Sequence, residues 1–303
     1  MLIRQLNYLV TLAQEKHFGR AAQSCHVSQP ALSGGIQSLE QELGVPIVRR
    51  GQRFEGFTEE GMRVLLWARR VLADCEHLRQ EIQTHDREPT GVLRLGTIPT
   101  ALPLVPLLTE KCLVQYPQIR HVVYTLSATQ TLRQLTDFEL DIGLSYLEDE
   151  RLQDFYTVPL FQEHYVLIAR DETMLQGRTT IAWQEAAQLP LCLFTDNMQC
   201  RSSIDTAFAN VGLKVVPRVE TDSMMALYAH VRCAGLFSVV PHSVLCLLEM
   251  RQEITAIPLV PKLQRDIGLV LLNRQPLGRL LTAAMESFHS LDLQTRVDAL
   301  LQC

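Results

Sequence analysis

Three amphipathic stripes at helical spacing begin the chain and predict three consecutive helices. The second stripe is short and built from alanine, which allows close helix crossing. The stripes comprise Ile3, Leu6, Leu9, Val10 and Ala13; then Ala21 and Ala22; then Ala31, Leu32, Ile36, Leu39 and Leu43. Polar residues separate them, so the pattern predicts a small helical domain with one apolar core.

The junction between the second and third helices predicts a helix-turn-helix. His26 and Val27 form the expected turn, and the Ser28 hydroxyl can accept a backbone N–H as an N-cap. Pro30 is tolerated in a first helical turn, and Gly44 favours the end of the helix. In a helix-turn-helix the second helix enters the major groove of DNA, where glutamine and serine side chains can bond base edges.

The segment 45–58 predicts a two-stranded wing whose arginines reach phosphates, which position a protein without reading sequence. A generic three-helix domain with a solvated basic hairpin is the alternative interpretation. The residues expected to contact DNA are Phe18, Arg20, Ser28, Gln29, Pro30, Ala31, Ser33, Gly34, Gln37, Arg49, Arg50 and Arg53.

This N-terminal run resembles the DNA-binding domain of LysR-type transcriptional regulators. The matching residues are Phe18, Ala21-Ala22, Val27 to Ser33, Ile36, Leu39-Glu40, Leu43 to Pro46, Arg50, Arg53, Phe57-Thr58 and Gly61. The resemblance implies a winged helix-turn-helix followed by a linker helix and an effector domain. One departure is Gly34-Gly35, because the family commonly has a long polar or basic side chain there; each glycine costs a helix about 1 kcal/mol relative to alanine.

Residues 59–88 predict a linker helix that joins two copies of the chain. Its apolar positions follow a heptad seam, formed by Val64, Ala68, Val71, Cys75, Leu78 and Ile82. Packing of this stripe on the helix's own wing is the alternative. A dimer would bring two DNA-binding heads to an approximately palindromic operator in double-stranded DNA, and the resemblance implies a tetramer built as a dimer of dimers.

Residues 89–303 alternate between apolar strand runs and helical stretches, which predicts an α/β effector domain with a parallel sheet. Two chain crossings divide it into lobe I (89–161 plus 266–303) and lobe II (162–265), as in periplasmic ligand-binding proteins. The expected elements include a helix at 132–138, a helix at 202–211, a strand at 215–219 and one closing helix at 277–301.

Ligands of parallel sheets bind beyond the carboxyl ends of strands, near helix N-termini. Hydroxyl and N–H groups at such ends suit a small anionic effector, although a single threonine is more often a plain helix cap. The residues selected by this rule are Thr97, Pro99, Thr100, Ala101, Ser127, Ala128, Thr129, Asn197, Met198, Cys200, Ser202, Asp222 and Ser223. The resemblance also places inducers between the lobes.

Composition is consistent with this interpretation. The 303 residues are 47% hydrophobic with a net charge of −5, yet the first 58 carry six Lys/Arg and four Asp/Glu. We find no apolar run long enough for a membrane span and no signal-peptide pattern, so a cytoplasmic protein without a membrane partner is expected. The weak basic excess predicts that dimerisation is needed for useful affinity.

The eight cysteines form no CxxC pair and no zinc spacing with histidine, so no metal or cofactor is expected. Cys200 lies in a predicted cleft loop near a helix start, where a thiolate is stabilised. Peroxide-sensing relatives place a reactive cysteine in a similar loop. A second, resolving cysteine is absent from residues 201–211. Redox sensing through Cys200 is therefore kept as an alternative to a buried or pocket-lining thiol.

Motifs for catalysis are missing from the sequence: there is no GxSxG, P-loop, GxGxxG or HExxH. An enzyme is therefore disfavoured. An architectural DNA-binding protein would not need a large acidic ligand domain, and a solute receptor would carry a signal peptide. The sequence predicts a transcriptional regulator that binds an operator, changes RNA polymerase access, and responds to a small molecule held between its lobes.

Overall fold

The structure is a computed structural model that describes residues 1–49, 54–83, 88–170, 178–247, 254–274 and 276–299. It divides into two compact units, the first spanning Met1–Arg87 and Thr136–Glu139 and the second spanning Glu88–Leu135 and Leu140–Cys303. Within the described residues, no helix combines the length and the apolar character needed to cross a lipid bilayer. Cysteines 25, 75, 112, 192, 200, 233 and 246 are free thiols.

Four helices build the N-terminal unit: α1 (Ile3–Glu15), α2 (Phe18–Ser24), α3 (Gln29–Leu43) and α4 (Glu59–Gln83). Leu9, Leu12, Leu32 and Leu39 are completely buried between the first three of them. The predicted helix-turn-helix is present. The wing is reduced, in the described residues, to one bridge between Val48 and Phe57.

Helix α4 approaches the wing very closely. A Cβ at Gly61 would lie 2.0 Å from the carbonyl oxygen of Ile47, so only glycine fits there. Thr58 caps this helix as expected, since its hydroxyl accepts the backbone N–H of Gly61 at 2.8 Å. These two contacts explain why the sequence motif has threonine at position 58 and glycine at position 61.

The residues of the predicted heptad seam of α4 lie in two different environments. Val64, Ala68 and Val71 pack into the core of their own unit, against α1 as well as against the wing that the alternative interpretation named. Leu78 and Ile82 are 59% and 72% exposed. The apolar surface left for a second chain is therefore smaller than the six-position seam, because the first half of the stripe is already covered.

The second unit contains two lobes joined by a long strand. The lobe I elements are β1 (Gly91–Thr97), α5 (Val105–Gln115), β2 (Ile119–Thr125), α6 (Ala128–Thr136), β3 (Ile142–Tyr146), the first part of β4 (Phe155–Ala169), β10 (Gln264–Leu272), α10 (Arg279–His289) and α11 (Leu293–Ala299). Its strand order is β2-β1-β3-β10-β4. β1, β2 and β3 are parallel, whereas β10 runs antiparallel to β3 and β4, so the sheet is mixed.

Lobe II is built on the second part of β4. Its elements are β5 (Ile181–Ala182), α7 (Trp183–Ala186), β6 (Cys192–Phe194), α8 (Gln199–Asn210), β7 (Val219–Thr221), α9 (Met224–Ala234), β8 (Ser238–Pro241), a 3-10 helix (His242–Leu247) and β9 (Thr255–Val260). β4 pairs with β8 and β9, and β6 pairs in parallel with β7. A core of buried apolar side chains around Trp183 and Phe208 fills this lobe.

Several expected elements differ from the observed ones. The helix expected at 132–138 begins earlier as α6, α8 begins three residues before 202, and the strand expected at 215–219 begins only at Val219. The single closing helix is two helices, and β9 had no sequence prediction. The change of lobe on β4 falls at His164, beyond the expected boundary at 161, because pairing with β10 continues to that residue.

Candidate functional site

Helix α3 begins and ends at the residues that the sequence predicted. The Ser28 hydroxyl accepts the backbone N–H of Ala31 at 3.3 Å, as the sequence predicted for an N-cap. Gly44 ends the helix in the left-handed conformation with φ 70°. At the start of the helix, Gln29, Pro30 and Ala31 are exposed.

Apart from the cap residue Ser28, the candidate DNA-contacting residues fall into four groups. Gln29, Pro30, Ala31 and Gln37 are exposed along α3, whereas Ser33 and Gly34 are half-buried. Phe18 packs edge-on against Phe54, with ring centroids 6.2 Å apart, so its ring supports the domain core. Arg20 and Arg49 are exposed but already bonded, to Glu15 (3.3 Å) and to the carbonyl of Phe57 (3.0 Å). Arg50 and Arg53 lie outside the described residues.

Two polar residues that position this surface were missed from the sequence. Glu40 Oε1 accepts the backbone N–H groups of Ile47 and Val48 at 2.7 and 3.0 Å, which fixes the wing against α3. His17 Nδ1 accepts the N–H of Gly19 at 3.1 Å and caps α2. Glu40 lies within the recognised motif, so its position was visible in the sequence; its bonding partners were not.

A cavity of about 520 Å³ separates the two lobes of the second unit. It opens at the carboxyl ends of β1, β2 and β3 on one side and of β6 and β7 on the other, as the rule for parallel sheets requires. Most of the residues selected from the sequence line it: Pro99, Thr100, Ser127, Ala128, Thr129, Asn197, Met198, Cys200, Ser202 and Asp222.

Three selected residues are not on the cavity wall. Thr97, at the end of β1, and Ala101, in the segment between β1 and α5, are completely buried, and Ala101 packs in the lobe I core. The Ser223 hydroxyl accepts the N–H of Ala226 at 3.3 Å, so this residue is a helix cap. Lining residues absent from the selected set are Ile98, Thr125, Leu126, Gln130, Tyr146, Arg151, Asp196 and Gln199.

Of the three charged residues that line the cavity in the described part of the chain, two are acidic. Asp196 and Asp222 lie on the lobe II side, beyond the ends of two adjacent parallel strands. Arg151 lies on the lobe I side and is already engaged by Asp149 at 2.8 and 2.6 Å. The hydrogen bond from Arg151 holds the pKa of Asp149 below its ordinary value. Arg151 is therefore ion-paired, and Asp196 and Asp222 are the acidic residues on the wall.

Cys200 lies at the floor of the cavity and is only 2% exposed. It is the second residue of α8, where the helix N-terminus favours a thiolate. Burial dominates that effect: together with the neighbouring Glu163 carboxyl, it raises the pKa of the Cys200 thiol to about 12. In this conformation the sulfur is a protonated thiol.

Glu163 is a buried acid on β4 beneath the cavity. Burial raises its pKa to about 8, against the weaker opposing effect of hydrogen bonds and of Arg265, its partner across the β4–β10 pair. Ser243 Oγ lies 3.4 Å from Glu163 Oε2 and donates to the carbonyl of Thr100 at 3.0 Å. A neutral acid is thus held close to the cavity wall.

Arg265 links the lobes next to this acid. Its guanidinium stacks 4.5 Å over the Tyr146 ring, and its Nε lies 3.2 Å from Glu148 in lobe I. The same side chain donates to Ser203 Oγ on α8 at 2.5 Å. Arg265 therefore ties the helix that carries Cys200 to the opposite lobe.

Two family models match the chain. One described as "Bacterial regulatory helix-turn-helix protein, lysR family" covers residues 3–62, and one described as "LysR substrate binding domain" covers residues 86–291. The two matches correspond to the unit that contains α3 and to the unit that contains the cavity.

Individual proteins agree with these matches. The "Hydrogen peroxide-inducible genes activator" of Haemophilus influenzae is 31% identical over 91% of this chain and 92% of its own length. The "DNA-binding transcriptional dual regulator OxyR" of Escherichia coli is 31% identical over 91% of each chain. A solved full-length OxyR variant from Pseudomonas aeruginosa superposes with a TM-score of 0.80, 27% identity and 97% coverage of each chain. CbnR complexed with its target DNA, at 23% identity, covers 95% of this chain and 99% of its own with a TM-score of 0.67, which supports the fold.

Proposed function

This chain belongs to the LysR-type transcriptional regulators, and from that premise we propose how its parts divide the family's work. It is a DNA-binding regulator, not an enzyme, and its C-terminal region is an effector domain. In the proposal, residues 1–58 bind DNA, residues 59–88 join two copies, and residues 89–303 receive the signal. Because its target is chromosomal DNA, the proposal places the protein in the cytoplasm.

The polar face of α3 reads the operator in this proposal. Gln29, Ser33 and Gln37 follow the capped start of the helix, and exposed glutamine can bond base edges in the major groove. Arg49, with Arg50 and Arg53, holds the phosphate backbone. Two copies joined through α4 bind two half-sites of a palindromic operator, and two such dimers form a tetramer that controls access of RNA polymerase.

The inter-lobe cavity holds the signal, and its position at five strand ends is the observation that supports this assignment. A volume of about 520 Å³ suits a metabolite-sized ligand. Asp196 and Asp222, with Arg151 paired to Asp149, favour a neutral or cationic molecule over the anion expected from the hydroxyls alone. Such a ligand shifts the regulator only by binding one arrangement of the lobes more tightly than the other.

Peroxide sensing through Cys200 is the second candidate, favoured by the peroxide-responsive relatives and by the sulfur on the cavity wall. The Cys200 sulfur would attack the O–O bond of hydrogen peroxide, giving a sulfenic acid and water. The raised thiol pKa slows this step in the described conformation, because the thiolate is the nucleophile. Opening of the cleft would expose the sulfur to water and so lower the pKa of the thiol.

One footprinting experiment tests both the DNA-reading assignment and the nature of the signal. The wild-type protein is expected to protect a two-fold symmetric site among fragments of its own chromosome, and Gln37→Ala should lose about 1–3 kcal/mol of discrimination at one base position per half-site. Ser38→Ala, exposed on the same helix but off the reading face, is the matched control. Absence of any preferred fragment would refute the DNA-reading assignment.

The same footprint is then repeated with hydrogen peroxide and with a panel of metabolites, for the wild type and Cys200→Ser. A peroxide-induced change that disappears in Cys200→Ser supports redox sensing. A metabolite-induced change that persists in Cys200→Ser supports ligand sensing in the cavity, and no response to either rejects both signals.

A further inference from the structure

Strand β4 changes its pairing partners at a single point. Its residues up to His164 pair with β10, and Tyr165 is the first residue paired with β8. The chain therefore passes from lobe I to lobe II between His164 and Tyr165. A hinge motion of the lobes is accommodated at this point and at the return crossing between β9 and β10.

A pair of histidines and one aspartate surround this crossing. His242, which follows β8, is completely buried, and its Nδ1 accepts the backbone N–H of His164 at 2.9 Å. The two imidazole rings lie 5.1 Å apart. Asp298 Oδ1 on α11 lies 3.5 Å from His242 Nε2 and 4.0 Å from His164 Nε2.

Helix α11 attaches to β4 through the same cluster. Gln294 Oε1 accepts the backbone N–H of Gln162 at 2.7 Å, and Gln294 Nε2 donates to Asp298 Oδ2 at 2.9 Å. On the other side of α11, Leu293 and Val297 are buried in the lobe I core. The crossing strand, the turn after β8 and the last described helix thus meet at one group of side chains.

The hydrogen bonds determine the protonation state of His242. Since Nδ1 accepts a backbone N–H, its lone pair is occupied and the ring proton lies on Nε2, facing Asp298. With Nδ1 and Nε2 both occupied, His242 has no lone pair left to ligate a metal ion. Adding a second proton would place it on Nδ1 and break the bond to β4.

We propose that the His164–His242–Asp298 cluster is a proton-operated latch on the lobe crossing: with both imidazoles neutral, it fastens α11 and the His242 turn to β4, and protonation of His242 breaks the bond to β4 and releases them. Ser243, next to His242, donates to the carbonyl of Thr100 on the cavity wall. Release would therefore loosen the lobe I wall of the cavity as well as the crossing.

The charges around the cluster determine in which direction its stability changes with pH. Burial, together with the adjacent His164, lowers the pKa of His242 to about 4, and burial also lowers the pKa of His164. Asp298 opposes both shifts, and Lys262 adds to the lowering at His164. The stabilisation by neutral histidine is thus complete above its ordinary pKa of about 6.5 and is lost as the pH falls below it.

Hydrogen–deuterium exchange of the free protein tests the latch, after correction for the pH dependence of intrinsic exchange. Between about pH 7.5 and about pH 5.5, His242 alone should increase the opening equilibrium of α11 and residues 162–165 about tenfold. Helix α5, buried in the same lobe, is the internal reference and should change much less. His242→Asn, whose side-chain oxygen can still accept the backbone N–H, should lose the acid response.

His289→Asn is the matched control, because His289 is an exposed histidine on α10 and should leave the response unchanged. If His242→Asn does not fold, His164→Asn keeps the backbone donor and removes the neighbouring ring, so the acid response should shrink. The latch is overturned if α11 and α5 respond equally in the wild type, or if the variants keep the full response. No DNA, metabolite or peroxide enters the measurement, so the result is independent of the proposed signal.

Discussion

At the residue scale, Glu163 is a carboxyl group completely removed from water. Complete burial outweighs Arg265 and the surrounding hydroxyls, so the pKa of this carboxyl is raised to about 8. The protonated acid needs no counter-charge inside the protein. Glu163 can therefore remain beneath the cavity at neutral pH without the large cost of a buried carboxylate.

Glu163→Gln is expected to change how stability depends on pH. In the wild type the folded pKa of about 8 exceeds the ordinary value of 4.5, so stability is lost as the pH rises through this window. Glutamine does not titrate, and the variant should gain on the wild type by about 1.4 kcal/mol per pH unit there. Urea denaturation, followed through the buried Trp183 at several pH values, measures the difference.

Glu185→Gln is the control for this prediction, since Glu185 is an exposed carboxylate paired with Arg178. Its substitution should not produce a gain that grows with pH. Parallel stability profiles for wild type and Glu163→Gln would show that the buried carboxyl is not protonated in the folded state.

At the element scale, the two adjacent glycines of α3 have different reasons to be glycine. A Cβ at Gly34 would meet no atom within 4 Å, whereas a Cβ at Gly35 would lie 2.8 Å from the Tyr8 ring. Gly35 thus allows α1 to pack closely on α3. Gly34 has no such constraint, and its cost to the helix is not offset by packing.

Gly34→Ala is expected to stabilise the N-terminal unit by about 1 kcal/mol, because alanine is the better helix former. Gly35→Ala gains the same helix propensity but forces Tyr8 to move, so it should be less stable than Gly34→Ala and fall to or below the wild type. Thermal or urea unfolding of the three proteins compares them. Equal stabilisation by both substitutions would contradict the packing role of Gly35.

At the scale of the whole effector unit, one side chain restrains the two lobes. Arg265 bonds Glu148 on lobe I and Ser203 on lobe II, and it stacks on Tyr146 at the cavity wall. Cys200, on the same helix as Ser203, packs in the lobe II core and lines the cavity, so separation of the lobes is expected to increase its exposure. Its accessibility therefore reports the opening of the cleft.

Arg265→Gln should increase the alkylation rate of Cys200 by about tenfold or more, because opening exposes the sulfur and lowers its desolvation. Peptide mapping by mass spectrometry separates Cys200 from the other free thiols. Arg178→Gln, which removes an ion pair on the surface of lobe II, is the control and should leave the rate unchanged. An unchanged rate in Arg265→Gln would mean that the lobes are held by other contacts.

Much of the DNA-reading unit could be predicted from local sequence. Helix start and stop signals act within a few residues, so the Ser28 cap and the Gly44 end were found in their expected places. The strand-end rule likewise led to ten residues that line the cavity, because loops after parallel strands converge at one edge of a sheet. The Arg50 and Arg53 assignments stay predictions.

Long-range packing decided what local patterns could not. The amphipathic stripe of α4 does not say that Val64, Ala68 and Val71 face their own unit, and the α8 start does not say that Cys200 is buried beside Glu163. Residues of the histidine cluster are more than 50 positions apart in sequence and meet only at the lobe crossing. The sequence by itself determined the helix-turn-helix, since this follows from periodicity and caps. Its motif residues carried the resemblance to the family, and the order of strand and helix patterns, together with that resemblance, predicted the two-lobed cleft. Protonation states and inter-lobe contacts were decided by tertiary structure alone, because desolvation and pairing depend on which distant side chains surround a group.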